Sequence, residues 1–127
     1  MADVTHDFGD WPLLRIRVSV PPNPSVAEQI RAGLDLGLER AEGHAVIIVL
    51  ERVGMPTPAM VREQARWFSD RSEPLTRFCR GIAIATESAA MRGIPNALSH
   101  IVDLPMRLRA CKTEEEAEAW CAGKLER

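Results

Sequence analysis

The sequence predicts an α/β fold, built as four strand–helix units around a mostly parallel sheet of about four strands. Three observations carry this. Short apolar or alternating runs recur at residues 13–20, 44–50, 81–86 and 104–110. Each is followed by a segment whose apolar residues fall at helical spacing. No hairpin turn signal joins one run to the next, so the connections are crossovers, which in parallel sheets are right-handed.

The elements follow in order. Residues 1–10 are polar, with Asp3, Asp7 and Asp10, and read as a flexible segment or a short edge contribution. Residues 13–20 alternate: Leu14, Ile16, Val18 and Val20 point one way, Arg15, Arg17 and Ser19 the other. That is a strand with one wet face. Pro21, Pro22 and Pro24 end it, and Asn23 or Ser25 caps a helix over 24–41. Gly33 and Gly37 share the apolar stripe of that helix, each costing about 1 kcal/mol relative to alanine. Their use is to let the helix backbone sit close on the sheet.

Gly43 stops this helix, and the run from His44 to Leu50 is apolar throughout, as a strand buried on both faces should be. Thr57 and Pro58 open a second helix as N-cap and first helical residue. Val61, Ala65, Trp67 and Phe68 form its core side, and Pro74 breaks it, predicting a short second segment over 73–80. Because Trp67 and Phe68 are adjacent, Trp67 is expected to be half-exposed, which suits a partner or homodimer contact. Residues 81–86 make a small apolar strand. Ser88 caps a third helix interrupted near Pro95, and 104–110 form the last strand, with Arg107 and Arg109 on one face. Thr113 and Glu116 then make a capping box. The closing helix carries Ala117, Trp120, Cys121, Lys124 and Leu125 on one stripe.

Composition narrows the function classes. At 127 residues the chain forms one domain with a real core, placed at 11–125. A net charge of -2 argues against a general polyanion binder, so no nucleic-acid partner is expected. Positive charge is nearly all arginine, since only Lys112 and Lys124 are lysines. Cys79, Cys111 and Cys121 are odd in number and form no C-x-x-C pair, which points to a reducing cytoplasm. His6, His44 and His100 are scattered, without metal-ligand spacing, and neither metal nor cofactor is expected. No apolar run approaches the roughly 20 residues that span a bilayer, so no membrane insertion is expected.

This pattern resembles the SpoIIAA-like (STAS-type) proteins of the bacterial branch grouped with STAS and CRAL-TRIO domains. The resemblance rests on Trp11-Pro12-Leu13-Leu14, the strand from Ala45 to Leu50, Pro56-Thr57-Pro58, the run starting at Gly81, and the closing segment from Thr113 to Trp120. It implies a compact four-unit β/α superhelix acting as a non-catalytic regulatory or protein-interaction module. Some members are switched by phosphorylating a serine at the start of the helix after the central strand. That position reads Gly54-Met55-Pro56-Thr57-Pro58 here, without the Asp-Ser pair, and helix capping already explains Thr57. A phospho-switched anti-sigma-factor antagonist acting through Thr57 therefore ranks below the plain interaction module. Lipid-related members imply a small apolar ligand held between helices and sheet as the alternative.

Thr57 and Ser88 both open helices at the carboxyl edge of the sheet, where free N–H groups could take an anion or phosphoryl group; capping alone explains both. Arg15, Arg17, Arg107 and Arg109 would form a positive strip if their strands expose the same face, or would guard sheet edges against pairing. Catalytic pairings of Cys79 with His100, or of Glu51 and Asp103 with His44 or His100, lack supporting spacing. No enzyme is expected.

Overall fold

A computed structural model describes residues 3–52 and 54–126. Its sheet has five strands: β1 (Val4–Asp10), β2 (Leu13–Val18), β3 (His44–Leu50), β4 (Cys79–Ala85) and β5 (Leu108–Cys111). They lie side by side in chain order. β1 pairs antiparallel with β2, and the other three pairings are parallel. The helices are α1 (Pro24–Glu39), α2 (Pro58–Asp70), α3 (Ser72–Phe78), α4 (Ile94–Ser99) and α5 (Glu114–Leu125). A 3-10 turn, Met91–Gly93, leads into α4.

The extra strand corrects the four-strand expectation. Residues 4–10, expected as a flexible or short edge segment, form the whole edge strand β1; residues 1 and 2 lie outside the described residues. The hairpin turns at Trp11-Pro12 through a cis peptide bond, where the sequence carries no Asn-Gly or Asp-Gly signal. Ser19 N–H donates to the Asp3 carbonyl and holds the open end of the hairpin.

Strands advancing by one position with right-handed crossovers place every connecting helix on the same face. The side chains agree. Leu14, Ile16 and Val18 of β2, Val46 and Ile48 of β3, and Ile82 and Ile84 of β4 join one buried cluster with Val26, Leu34, Phe68, Leu75 and Leu98 of the helices. The alternate residues Ala45, Ile47, Val49, Ala83 and Ala85 face the opposite way and pack with Ala117 and Cys121 of α5. α5 lies over this second face, against β3 and β4.

Local chemistry sets the helix ends as expected. Asn23 caps α1 by accepting from Val26 N–H at 2.9 Å, with Pro24 at the first turn. Thr57 caps α2 by accepting from Met60 N–H at 3.2 Å. Thr113 caps α5 by accepting from Glu116 N–H at 3.1 Å. The return half of that box shifts by one residue, because Glu116 accepts from Lys112 N–H at 3.3 Å. Gly33 does bring α1 close to the sheet: a Cβ there would stand 2.6 Å from the His6 ring and 3.0 Å from Ile16.

Candidate apolar cleft and the seam beside it

The connecting helices do not close fully over the sheet. Between α1, α2, α4 and the strands lies a cleft of about 130 Å³. Val18, Ile48, Leu50, Ile82, Ile84 and Leu108 form its floor. Val26, Ala27, Ile30 and Leu34 of α1 form one wall, and Met60, Val61 and Phe68 of α2 the other, with Met91, Ile94 and Leu98 behind. Among the described residues, Asn23 and Gln64 are the only polar side chains lining it. The gap has a local cause. The segment between β4 and β5 supplies only a 3-10 turn and six helical residues, too little to fill the layer.

α1 and α2 start at the same end of the sheet, since Pro22 and Asn23 line the cleft beside Pro56 and Met60. Both helices therefore run back in the same direction. Farther along, Asp35 of α1 accepts two hydrogen bonds from the Arg71 guanidinium at the end of α2, one of them at 3.2 Å. Arg71 also lies over the Trp67 ring, 4.7 Å from its centroid, and Phe68 meets Trp67 edge-on at 5.5 Å.

Trp67 is only 7% exposed, which corrects the expectation of a half-exposed aromatic. Helices pack on both flanks of α2, so adjacent residues can both be covered: Phe68 faces the sheet and Trp67 the seam with its neighbours. Two buried donors are left without an acceptor among the described residues, Trp67 Nε1 and Arg31 Nη1. A buried donor left unpaired costs about 1–3 kcal/mol.

A second, polar crevice of about 380 Å³ lies at the carboxyl edge of the sheet. It gathers Arg17, Glu51, Arg52, Thr86, Glu87, Ser88, Lys112, Thr113 and Glu114. Ser88 is there, accepting from Met91 N–H at 3.2 Å, while Thr57 does not line it. Thr57 caps α2, whereas Ser88, expected to cap a third helix, only accepts within the bend before the 3-10 turn, whose N-cap is Ala90; the structure does not join the two hydroxyls in one site. Acidic and basic groups alternate around the crevice.

Three of the four arginines share one sheet face. Arg15 and Arg17 lie opposite Ile47 and Val49, and Arg109 opposite Ala83, on the side that α5 covers; Arg107, expected within the last strand, precedes β5. The Arg15 and Arg17 part of the strip is not free. Arg15 pairs with Asp10, Glu114 and Glu118, and Arg17 with Glu51 and Glu114. Burial works against the Glu114 carboxylate, but bonds and charge from Arg17 and Arg15 hold it below the ordinary carboxylate range.

The sequence-level catalytic pairings are not assembled. Burial pushes the Cys79 thiol up to about 12, and its Sγ–H points at the Gly81 carbonyl, while His100 is exposed after α4. His44 and Glu51 stand at opposite ends of β3, roughly 20 Å apart at about 3.3 Å per residue. No group of three metal-ligating side chains occurs among the described residues, and no described helix is long and apolar enough to cross a membrane. Sequence reasoning missed Arg31, and an apolar site between helices and sheet entered only as what the resemblance implied. The available signal was Arg31 standing one helical turn after Ala27 and beside Ile30, at the margin of an apolar stripe.

Comparison of the chain with protein-family models, with curated proteins and with solved structures finds no match.

Proposed function

We propose that the chain is a non-catalytic binding domain of the SpoIIAA-like type, whose ligand is a small apolar molecule held in the cleft beneath α1 and α2. The cleft carries this reading. A dry apolar cavity of roughly 150 Å³ holds a benzene-sized guest, so about 130 Å³ suits the end of a hydrocarbon chain, with the rest leaving between the helices. The strand order, advancing one position per unit, supports the SpoIIAA-like superhelix. The absence of any match leaves that assignment resting on element order and the anchor residues. Free cysteines, all buried, support a reducing cytoplasmic home.

The regulatory side of the reading, docking of a protein partner, draws on Met55 and Ile101. Both are large apolar residues, 57% and 51% exposed, and they adjoin the segments that bound the cleft. A partner would then read whether the cleft is filled.

Native mass spectrometry of freshly purified protein, with titration of octanol into stripped protein, tests the ligand. One adduct or one octanol per chain is expected, lost in Ala27→Leu, which fills the cleft. A bare mass and no octanol binding would sink the ligand and leave only the partner-docking reading.

A further inference from the structure

The seam between α1 and α2 can be read residue by residue. Ala27, Arg31 and Asp35 follow each other one turn apart along α1, and Gln64, Trp67 and Arg71 do so along α2. The two stripes meet at both ends. Ala27 and Gln64 line the same cleft, and Asp35 binds Arg71. In helices running the same way, Arg31 and Trp67 then occupy the same level, one turn of about 6 Å from the ion pair. These are the two residues whose buried donors lack an acceptor among the described residues. Trp67 is more than nine-tenths buried, and its ring contacts Phe68, which lines the cleft.

Two donors and no acceptor define the missing partner: an oxygen that accepts from both, carrying negative charge to match the guanidinium. Asp35 does not supply it: among the described residues its carboxylate accepts from Arg71 alone, and neither Arg31 nor Trp67 donates to it. We infer that the ligand of the cleft is an acidic amphiphile, with its hydrocarbon chain among the apolar walls and its carboxylate or phosphate accepting from Arg31 Nη1 and Trp67 Nε1. This rests on the apolar-ligand reading and adds the head group to it. Neither Arg31 nor Trp67 lines the cleft and both nitrogens are covered, so the head has to part α1 from α2 to reach them while the chain lies beneath the two helices. A neutral alcohol of the same length leaves the guanidinium without its counter-charge.

The test uses three probes on the whole chain: octanoate, monooctyl phosphate and octanol. Affinities are measured by calorimetry, and the Trp67 indole N–H is followed by nitrogen–proton NMR, assigned by its loss in Trp67→Phe. One or both acids should bind about tenfold or more tighter than octanol, the scale of one charge-assisted hydrogen bond, and move the Trp67 signal. The tighter acid tells a fatty acid from a lipid phosphate. Arg31→Gln should remove the acid preference and leave octanol binding unchanged, which also proves that the variant is folded. Equal binding of all three probes, with the Trp67 signal still, means that water alone satisfies the seam; the head-group assignment then falls and the apolar cleft stands. If none of the three binds, both fall.

Discussion

Both faces of the sheet are covered by apolar side chains, smaller on one face than on the other, and the two differ in how completely they close. On one face a single helix, α5, lies over β3 and β4 and covers their central residues fully. Ala45, Ile47, Ala83, Ala117 and Cys121 are all 0% exposed. On the other face four helices share the cover and leave a cleft. Residue size explains the tight face. Alanines and a cysteine let α5 approach closely, and the Cys121 Sγ–H reaches the Val46 carbonyl at 3.6 Å. A helix about 10 Å wide spans two strands spaced about 4.8 Å apart, so one is enough there. The flank it cannot reach, over β2, is closed by Arg15 and Arg17 bonding down from the strand to Glu114. The open face instead needs several short helices to meet, and the shortest connection leaves the space.

Enlarging a side chain should therefore have opposite effects on the two faces. Ala117→Leu overpacks α5 against the sheet and should cost about 3 kcal/mol in urea unfolding. Ala27→Leu fills part of the cleft and should be neutral or gain up to about 1 kcal/mol, while abolishing octanol binding. Equal losses would mean that the two faces are equally tight.

Gly81 sharpens the contrast at one contact. A Cβ there would stand 2.7 Å from the Trp120 ring, so Gly81→Ala should cost about 2 kcal/mol. In the Trp120→Leu background the same change should cost less than half as much, a coupling that a double-mutant cycle reads directly. Additive effects would show that Trp120 does not rest on β4.

A smaller effect concerns His44, 1% exposed beneath Trp11 at the start of β3. Burial, joined by the charge of Arg80, pulls its pKa below the ordinary value against the hydrogen bond to the Glu42 carbonyl. A folded pKa below the unfolded one means that the unfolded chain binds the extra proton. The contribution is whole above about pH 6.5 and is lost as pH falls through the folded pKa. Stability should drop from pH 6.5 toward 5, and His44→Leu should flatten that slope; an unchanged slope would place the titration elsewhere.

Smallest is the charged flank. Glu114→Gln should cost under about 1 kcal/mol, less in high salt, because the carboxylate is partly solvated. With a folded pKa held low by Arg17 and Arg15, its contribution is present above the ordinary carboxylate range and fades only in acid. A larger loss would mean that the ion pairs, and not the helix dipole alone, anchor α5.

Much of the fold was legible because it is written in neighbours. Period-2 alternation marked β2, a continuous apolar run marked β3, and Asn23, Thr57 and Thr113 announced three helix starts by hydrogen bonds three residues long. Gly33 foretold the close approach of α1. The edge strand β1 was harder, because a polar strand at an edge lacks a buried alternation to betray it. The candidate site was barely legible. Trp67 was singled out for the wrong reason, as an exposed aromatic, and Arg31 was not singled out at all.

By itself, then, the sequence determined the α/β class, the order of the four parallel strands and the caps of α1, α2 and α5, since these depend on spacing within a few residues. Which arginines are neutralised, where Trp67 lies, and that two donors share a seam beside a cleft were decided only by tertiary structure. Arg15 meets Glu114 across 99 positions and Asp35 meets Arg71 across 36. Such contacts follow from how helices of particular lengths settle on a twisted sheet, and no local spacing encodes them.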